Sequence, residues 1–290
     1  MPRDPRHQPY FDANRSWWDT VVPIHEASRG YDREGFLRGE KPLCPVELAE
    51  LGPHVASKRL LHLQCHFGMD TLNWARLGAA VTGLDFSAPA IEAARRLSAD
   101  SGIPGHFVHA NVYDAPAVLS AEFDVVYTGV GALNWLPDVR GWARAATACL
   151  RPGGLLYVYE GHPMMWTLDD QREDRLLVAR ERYFELPEPT PFEGDSTYVD
   201  GPRFAPRRNY EWNHGLGEIV SAVIDAGLRV EFLHEHREVP WQALPWMEPV
   251  GRGTMGADGR YQSNRMWQLP EAQRQLVPLM YSLRAAKHGA

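Results

Sequence analysis

The chain has 290 residues, 44% of them hydrophobic and 23% charged, which is ordinary for a soluble protein long enough to bury a full core. A formal charge of −7 with no dense Lys/Arg block argues against a nucleic-acid surface, and no apolar run is long enough to span a bilayer. Cys44, Cys65 and Cys149 are odd in number and form no CxxC pair, so neither a zinc site nor a disulfide framework is indicated, and with no apolar leader the chain is expected in the cytoplasm.

Residues 1–9 read as a loose tail. Asn14 to Ser28 reads as a helix, with Trp17, Val21 and Ile24 at helical spacing and Pro23 expected to kink or divide it. Tyr10, Trp18, His25 and Tyr31 of this arm are placed to reach a ligand, although each also suits pinning the arm to the domain. The arm is assigned residues 1–45 and the main domain residues 46–290. A short helix is expected from Pro45 to Leu51.

Arg59 to Ser87 then organises the chain. Leu60, Leu61 and Leu63 suit a strand buried on both faces. The tight stretch Gln64-Cys65-His66-Phe67-Gly68 follows, then a helix from Asp70 to Leu77 and a second strand, Val81 to Leu84, that ends on Asp85. Strand, turn, helix, strand and acid open a nucleotide-binding α/β unit: the turn offers backbone N–H groups and the acid accepts from a ribose diol. The turn lacks the usual glycine fingerprint, and His66 stands where a glycine is expected.

A helix capped by Ser87 runs towards Gly102, and His106 to Ala110 is a third strand ending at Asn111. Phe123 to Tyr127 is the fourth strand. A helix from Asp138 to Leu150 and the turn Arg151 to Gly154 lead to the fifth, Leu155 to Tyr159. An insertion of about 161–210 follows, with β-like pieces at Leu176 to Phe184 and Thr197 to Val199. Asn213 is placed to cap a helix reaching Ala226, Leu228 to Leu233 is a sixth strand, and Leu279 to Ala285 a last one. Between those two strands, about 237–276, lies an aromatic-rich loop with Trp241, Trp246, Met247, Tyr261 and Trp267. The pattern predicts a Rossmann-like α/β fold: a seven-stranded, mostly parallel sheet with its last strand antiparallel, helices on both faces, and lid insertions after strands five and six. Ligands of such sheets bind at the carboxyl ends of the strands.

At VTGLDFS, FDVVYTGVGALNWLPD and the LRPGG turn, the chain resembles the class I S-adenosylmethionine-dependent methyltransferases over about Leu60 to Leu233, together with the final strand. The spellings HLQCHFG and YEWNHGLGEI look like a bacterial small-molecule branch. The resemblance implies that Gln64, Cys65, His66 and Gly68 hold the methionine part of the cofactor, Asp85 the ribose and Phe86 the adenine face. It likewise implies that Asn111 and Val112 meet the adenine edge and that Thr128 and Gly129 lie beside the methyl donor. Two departures matter. His66 replaces a small residue, and Asn111 stands where an Asp is usual and binds as a neutral partner.

Methyl transfer from a sulfonium needs alignment of the acceptor and removal of its proton. Glu160, His162 and His214 are the residues expected to supply a base. Asn134, Trp135 and Trp212, with Tyr10, Trp18 and His25, are expected to bind the substrate. The acceptor atom stays open among O, N and C, and the partner expected is a small molecule, neither nucleic acid nor membrane, with the chain a monomer or homodimer. No metal is expected: in His234-Glu235-His236, alternation along a strand leaves too few ligands on one face. Two other readings are kept. One is a SAM-binding protein of the same fold that cyclises its substrate or lacks turnover. The other, an NAD-dependent dehydrogenase, is disfavoured by the missing glycines.

Overall fold

The computed structural model describes residues 4–119, 122–184, 186–250, 254–255, 261–262 and 266–289. The chain enters through a single 3-10 turn, Pro5–His7, and the long helix α1, Gln8–Ala27. The expected loose tail is therefore structured from Asp4 on. Pro9 sits at the first turn, where its missing N–H costs nothing, and the helix runs through Pro23 rather than dividing there. Helices α2, Arg33–Leu37, and α3, Pro45–Glu50, lead to strand β1, Arg59–Leu63.

Four further strand–helix alternations follow: α4, Met69–Arg76; β2, Ala80–Asp85; α5, Ala88–Ser101; β3, His106–His109; α6, Ala115–Val118; β4, Phe123–Thr128; α7, Val139–Cys149; and β5, Leu150–Gly161. The capping residues are those the sequence offers. Ser87 Oγ accepts from Ala90 N, and Asp138 Oδ1 from Gly141 N at 2.7 Å. Beyond β5 come the hairpin β6, Thr190–Gly194, with β7, Arg207–Glu211, then α8, Leu216–Asp225, and β8, Leu228–His236. The short strands β9, Glu238–Val239; β10, Glu248–Val250; β11, Thr254–Met255; β12, Tyr261–Gln262; and β13, Met266–Gln268 precede the last strand, β14, Met280–Lys287.

The main sheet has the order β3-β2-β1-β4-β5-β14-β8. Strands β3 to β5 pair in parallel, and β14 lies antiparallel between β5 and β8. Successive β1 residues face opposite cores, as strand alternation requires. Leu61 and Leu63 join Trp142, Ala146 and Val223 of α7 and α8, whereas Leu60 joins Leu51, Trp74 and Tyr157 on the other face. A third cluster packs Val22 of α1 and Phe36 of α2 on Phe67, Ile91 and Phe107.

Three expectations change. Of the expected β-like pieces of the first insertion, Leu176 to Phe184 supplies only an antiparallel bridge from Ala179 to Leu168 and Thr197 to Val199 forms no strand; its hairpin is β6–β7, where the alternating Arg207–Glu211 finds a partner in Thr190–Gly194. Helix α8 is entered at Gly215, because the Asn213 amide instead donates to the carbonyls of Pro163 and Arg182. The second insertion carries a small sheet, β10-β13-β9, and Trp246 and Met247 are buried in the core beneath it, with Trp241 and Trp267 packed alongside. The side chain of Tyr261 lies outside the described residues. Among the described residues, no helix is long and apolar enough to cross a membrane and no cluster of potential metal ligands occurs.

Candidate active site at the carboxyl ends of the strands

The turn after β1 keeps a glycine-type backbone without the glycines. Gln64, His66 and Gly68 have φ of +58°, +51° and +79°, all left-handed. Only Gly68 is sterically obligatory, because a Cβ there would lie 2.7 Å from the Phe107 ring and 3.0 Å from Ala94. The turn is tied on two sides. His66 N donates to Asp85 Oδ2 at 2.8 Å, and Gln64 Nε2 donates to the Ala132 carbonyl at 2.8 Å in the loop after β4. Cys65 is buried behind the turn and donates its N–H to Leu84 O.

Asp85 ends β2 and is buried, accepting also from Ser87 N at 2.9 Å. Burial pushes its carboxyl up to about 6, against the pull of those N–H groups. Each of its oxygens holds one amide and keeps a lone pair, which is what a ribose diol requires. Phe86 follows, and its carbonyl accepts from His109 Nε2 at 2.9 Å. Asn111 Oδ1 caps the turn Val112–Asp114 through Tyr113 N at 3.2 Å, and Val112 is buried in the core. Thr128 is fully buried with no partner for Oγ1, and the Gln64 Oε1 atom is likewise buried and unpartnered. Such orphaned polar atoms at adjoining strand ends suit a polar ligand, and with Asp85 they fit S-adenosylmethionine.

The arm and the first insertion lie over this edge. Asn14 of α1 exchanges two 2.8 Å hydrogen bonds with the backbone of Tyr210 in β7. Tyr10 packs edge-on against Tyr210 and Trp212, and Trp18 edge-on against His66, His25 and Trp135. The His66 ring lies parallel to Tyr31, with centroids 5.5 Å apart. His25 Nδ1 is 3.2 Å from His66 Nε2, and its Nε2 is 2.7 Å from Thr197 Oγ1. Burial lowers His25 to about 4; it also takes His66 well below the usual histidine range, with His25 adding to the effect, so both rings are neutral.

The three residues expected to supply a base are held elsewhere. Glu160 is buried, and its carboxylate accepts from Gly131 N, Ala132 N, Leu133 N and Gly161 N at 2.5–3.2 Å. Burial raises its carboxyl while these four donors stabilise the anion. His162 Nδ1 accepts from Met164 N at 3.0 Å. Its Nε2 sits 3.0 Å from Glu235 Oε1, near enough for charge pairing but off the line of a ring N–H bond. His214 Nε2 donates to Leu136 O at 2.7 Å, and Nδ1 faces Glu218 Oε2 at 3.2 Å.

Of the expected substrate residues, Asn134 and Trp212 are brought together: Trp212 N donates to Asn134 O, and Asn134 Nδ2 donates to Glu211 Oε2, each at 2.8 Å. Sequence reasoning passed over Glu211, whose carboxyl is raised by burial, and over Thr197 and Tyr198. Glu211 lies within the singled-out YEWNHG, and that was its available signal.

A family model described as a methyltransferase domain matches residues 61–156. The ubiquinone biosynthesis O-methyltransferase of Xanthomonas axonopodis pv. citri is 34% identical over 136 residues, which are 46% of this chain and 56% of that protein. The Aromatoleum aromaticum protein of the same description is 30% identical over 161 residues, 54% of this chain and 62% of that one. The chain thus spans about half the length of the curated relatives it matches. A SAM-dependent methyltransferase of Mesorhizobium loti shares the fold at TM-score 0.53 and 20% identity, over 87% of this chain and 95% of that one. A glycopeptide N-methyltransferase solved with S-adenosyl-L-methionine does so at 0.51 and 18%, over 85% and 88%.

Proposed function

Because residues 61–156 match a family model described as a methyltransferase domain, we propose that this chain binds S-adenosylmethionine and transfers its methyl group to a small-molecule acceptor held under the arm and first insertion. The observation that carries the reading is the pairing of a left-handed turn after β1 with a buried acid at the end of β2, Asp85, whose oxygens retain free lone pairs. When bound, the cofactor supplies a methyl group already activated on a positively charged sulfur.

The chain's own residues then orient and enclose. Asp85 receives the ribose hydroxyls, Phe86 lies at the adenine face, and Asn111 with the Val112 backbone meets the adenine edge. Gln64, Cys65, His66 and Gly68 form the wall at the methionine end, and Thr128 and Gly129 line the floor. Trp18, Trp135 and Trp212, with Tyr10, form an aromatic wall for the acceptor and exclude water, which strengthens every electrostatic contact within. Glu160, gripped by three amides of the loop after β4, works by fixing that loop, and with it Asn134 and Trp135. Alignment of this kind supplies several kcal/mol, up to roughly 7–11 in ideal cases.

The test is a calorimetric titration with S-adenosylmethionine and with NAD, then incubation with methyl-labelled cofactor and a panel of phenols, amines and carbon acids. Saturable S-adenosylmethionine binding and acceptor-dependent S-adenosylhomocysteine are expected. Binding without any S-adenosylhomocysteine across the panel would favour a non-transferring module, and preference for NAD would overturn the reading.

A further inference from the structure

His66 is in a costly conformation. A side chain in the left-handed region is strained relative to glycine, and such residues persist where their surroundings fix them. What fixes His66 is a chain of polar atoms. Its Nε2 is 3.2 Å from Nδ1 of the fully buried His25, and Nε2 of His25 is 2.7 Å from Thr197 Oγ1. Thr197 is half-buried and precedes Tyr198, which is exposed and hydrogen-bonds Tyr31 between hydroxyls. Two neutral imidazoles meeting nitrogen to nitrogen need one N–H and one lone pair. The chain has two self-consistent settings. In one, His66 Nε2–H donates to His25 and His25 Nε2–H to Thr197. In the other, Thr197 donates to His25 and His25 Nδ1–H to His66. Passage from the first setting to the second takes one proton in at His66 Nδ1 and gives one out at the Thr197 hydroxyl, with each shared proton moving along its bond between them.

We propose that His66, His25 and Thr197 form a proton relay from the cofactor turn to solvent, with His66 as the general base towards the acceptor. The proposal rests on the methyltransferase reading above. In the first setting His66 Nδ1 carries the lone pair, and its ring borders Trp18, which in turn packs on Trp135 of the expected acceptor wall. During transfer the acceptor gains the methyl group, the sulfonium becomes a neutral thioether, and the acceptor's proton is left over. That proton moves to His66 Nδ1, the Nε2 proton passes to His25 Nδ1, the His25 Nε2 proton passes to Thr197, and the Thr197 hydroxyl releases its own to water. The rings return to the first setting by proton exchange once product has left. Glu160, His162 and His214 are engaged as described, whereas this chain of atoms runs from the turn to the surface. The titratable groups facing the two rings are Tyr31 and Tyr198, with Asp85 on the backbone N–H of His66.

The relay is tested first without any acceptor, by ring 15N NMR of the histidine-labelled full chain. Thr197→Val removes the hydroxyl but keeps the shape. It should move the His25 Nε2 shift and, through the shared proton, the His66 Nε2 shift, leaving His162 and His214 in place; an unmoved His66 would overturn the relay. The second arm is kinetic, with catechol as the probe acceptor. His25→Phe should lower kcat by about 10²–10⁴-fold and flatten its pH profile, with S-adenosylmethionine affinity little changed. Weakened cofactor binding with kcat and pH profile intact would make His25 a structural tie and overturn the proposal. If the wild-type chain fails to bind the cofactor, the methyltransferase reading falls, and the NMR arm still decides the relay.

Discussion

The cofactor side of the cleft and its cover use the same kinds of side chain but fix them over different distances. On the cofactor side, Asp85 holds N–H groups 19 and 2 residues away, and Ser87 and Asn111 cap turns that begin beside them. Each feature follows from one strand, one turn and one helix. In the cover, Asn14 grips Tyr210 across 196 residues and His25 meets Thr197 across 172. In the cover only α1 shows a periodic pattern: β6 and β7 are a hairpin resting on α1, and α1 packs on α5 through Val22, Ile91 and Ala94. A site divided this way should lose cofactor binding and closure separately.

The largest expected effect separates the halves from the cofactor side. Asp85→Ala removes the acceptor of two backbone N–H groups and, in the proposed site, of the ribose hydroxyls. At about 1.5–3 kcal/mol for each charge-assisted bond, S-adenosylmethionine affinity should fall at least tenfold. Calorimetry showing unchanged affinity would break the assignment of this half to the cofactor.

From the cover side, Asn14→Ala leaves the Tyr210 N–H and carbonyl without partners. The cost should be about 1–3 kcal/mol, confined to the contact between α1 and β7. Hydrogen exchange should rise in residues 8–27 and 207–211 while β1 to β4 stay protected. A uniform rise through the sheet would mean that the two halves open as one unit.

A third effect, read as a slope with pH rather than as a single loss, sharpens the same division. His25 is held down to about 4 by burial, so the unfolded chain binds more protons than the closed arm between the ordinary histidine range and that value. Its stabilising contribution is complete above about 6.5 and is lost as pH falls towards 4, by at most about 1.4 kcal/mol per pH unit. Trp18 fluorescence, quenched or released as the arm moves against His25 and His66, should follow this window in the wild type. In His25→Phe the window should narrow to the part that His66, also lowered by burial, contributes; if it survives unchanged, another group sets the arm's pH response.

The alternation of strands and helices, the final antiparallel strand, the turn at Gln64 to Gly68 and the acid at Asp85 were legible because they rest on local signals: apolar runs of strand length, Gly68 and Gly102 at turns, Ser87 before a helix, and an acid closing a strand. Even the absence of glycine at residues 64 and 66 was visible, although that both positions keep a left-handed backbone was not. The tertiary structure decided the occupation of the side chains. Glu160, His162 and His214 stand at the predicted edge, yet what each one bonds is set by groups the sequence does not bring near: the amides of residues 131–133, Glu235 on a strand two places away, and the carbonyl of Leu136. Likewise, Trp246 and Met247 read as a lid but belong to the core of one sheet face. Backbone periodicity fixes where a residue emerges from the sheet, whereas the partner that satisfies a buried polar atom arrives through long-range packing, which no local pattern encodes.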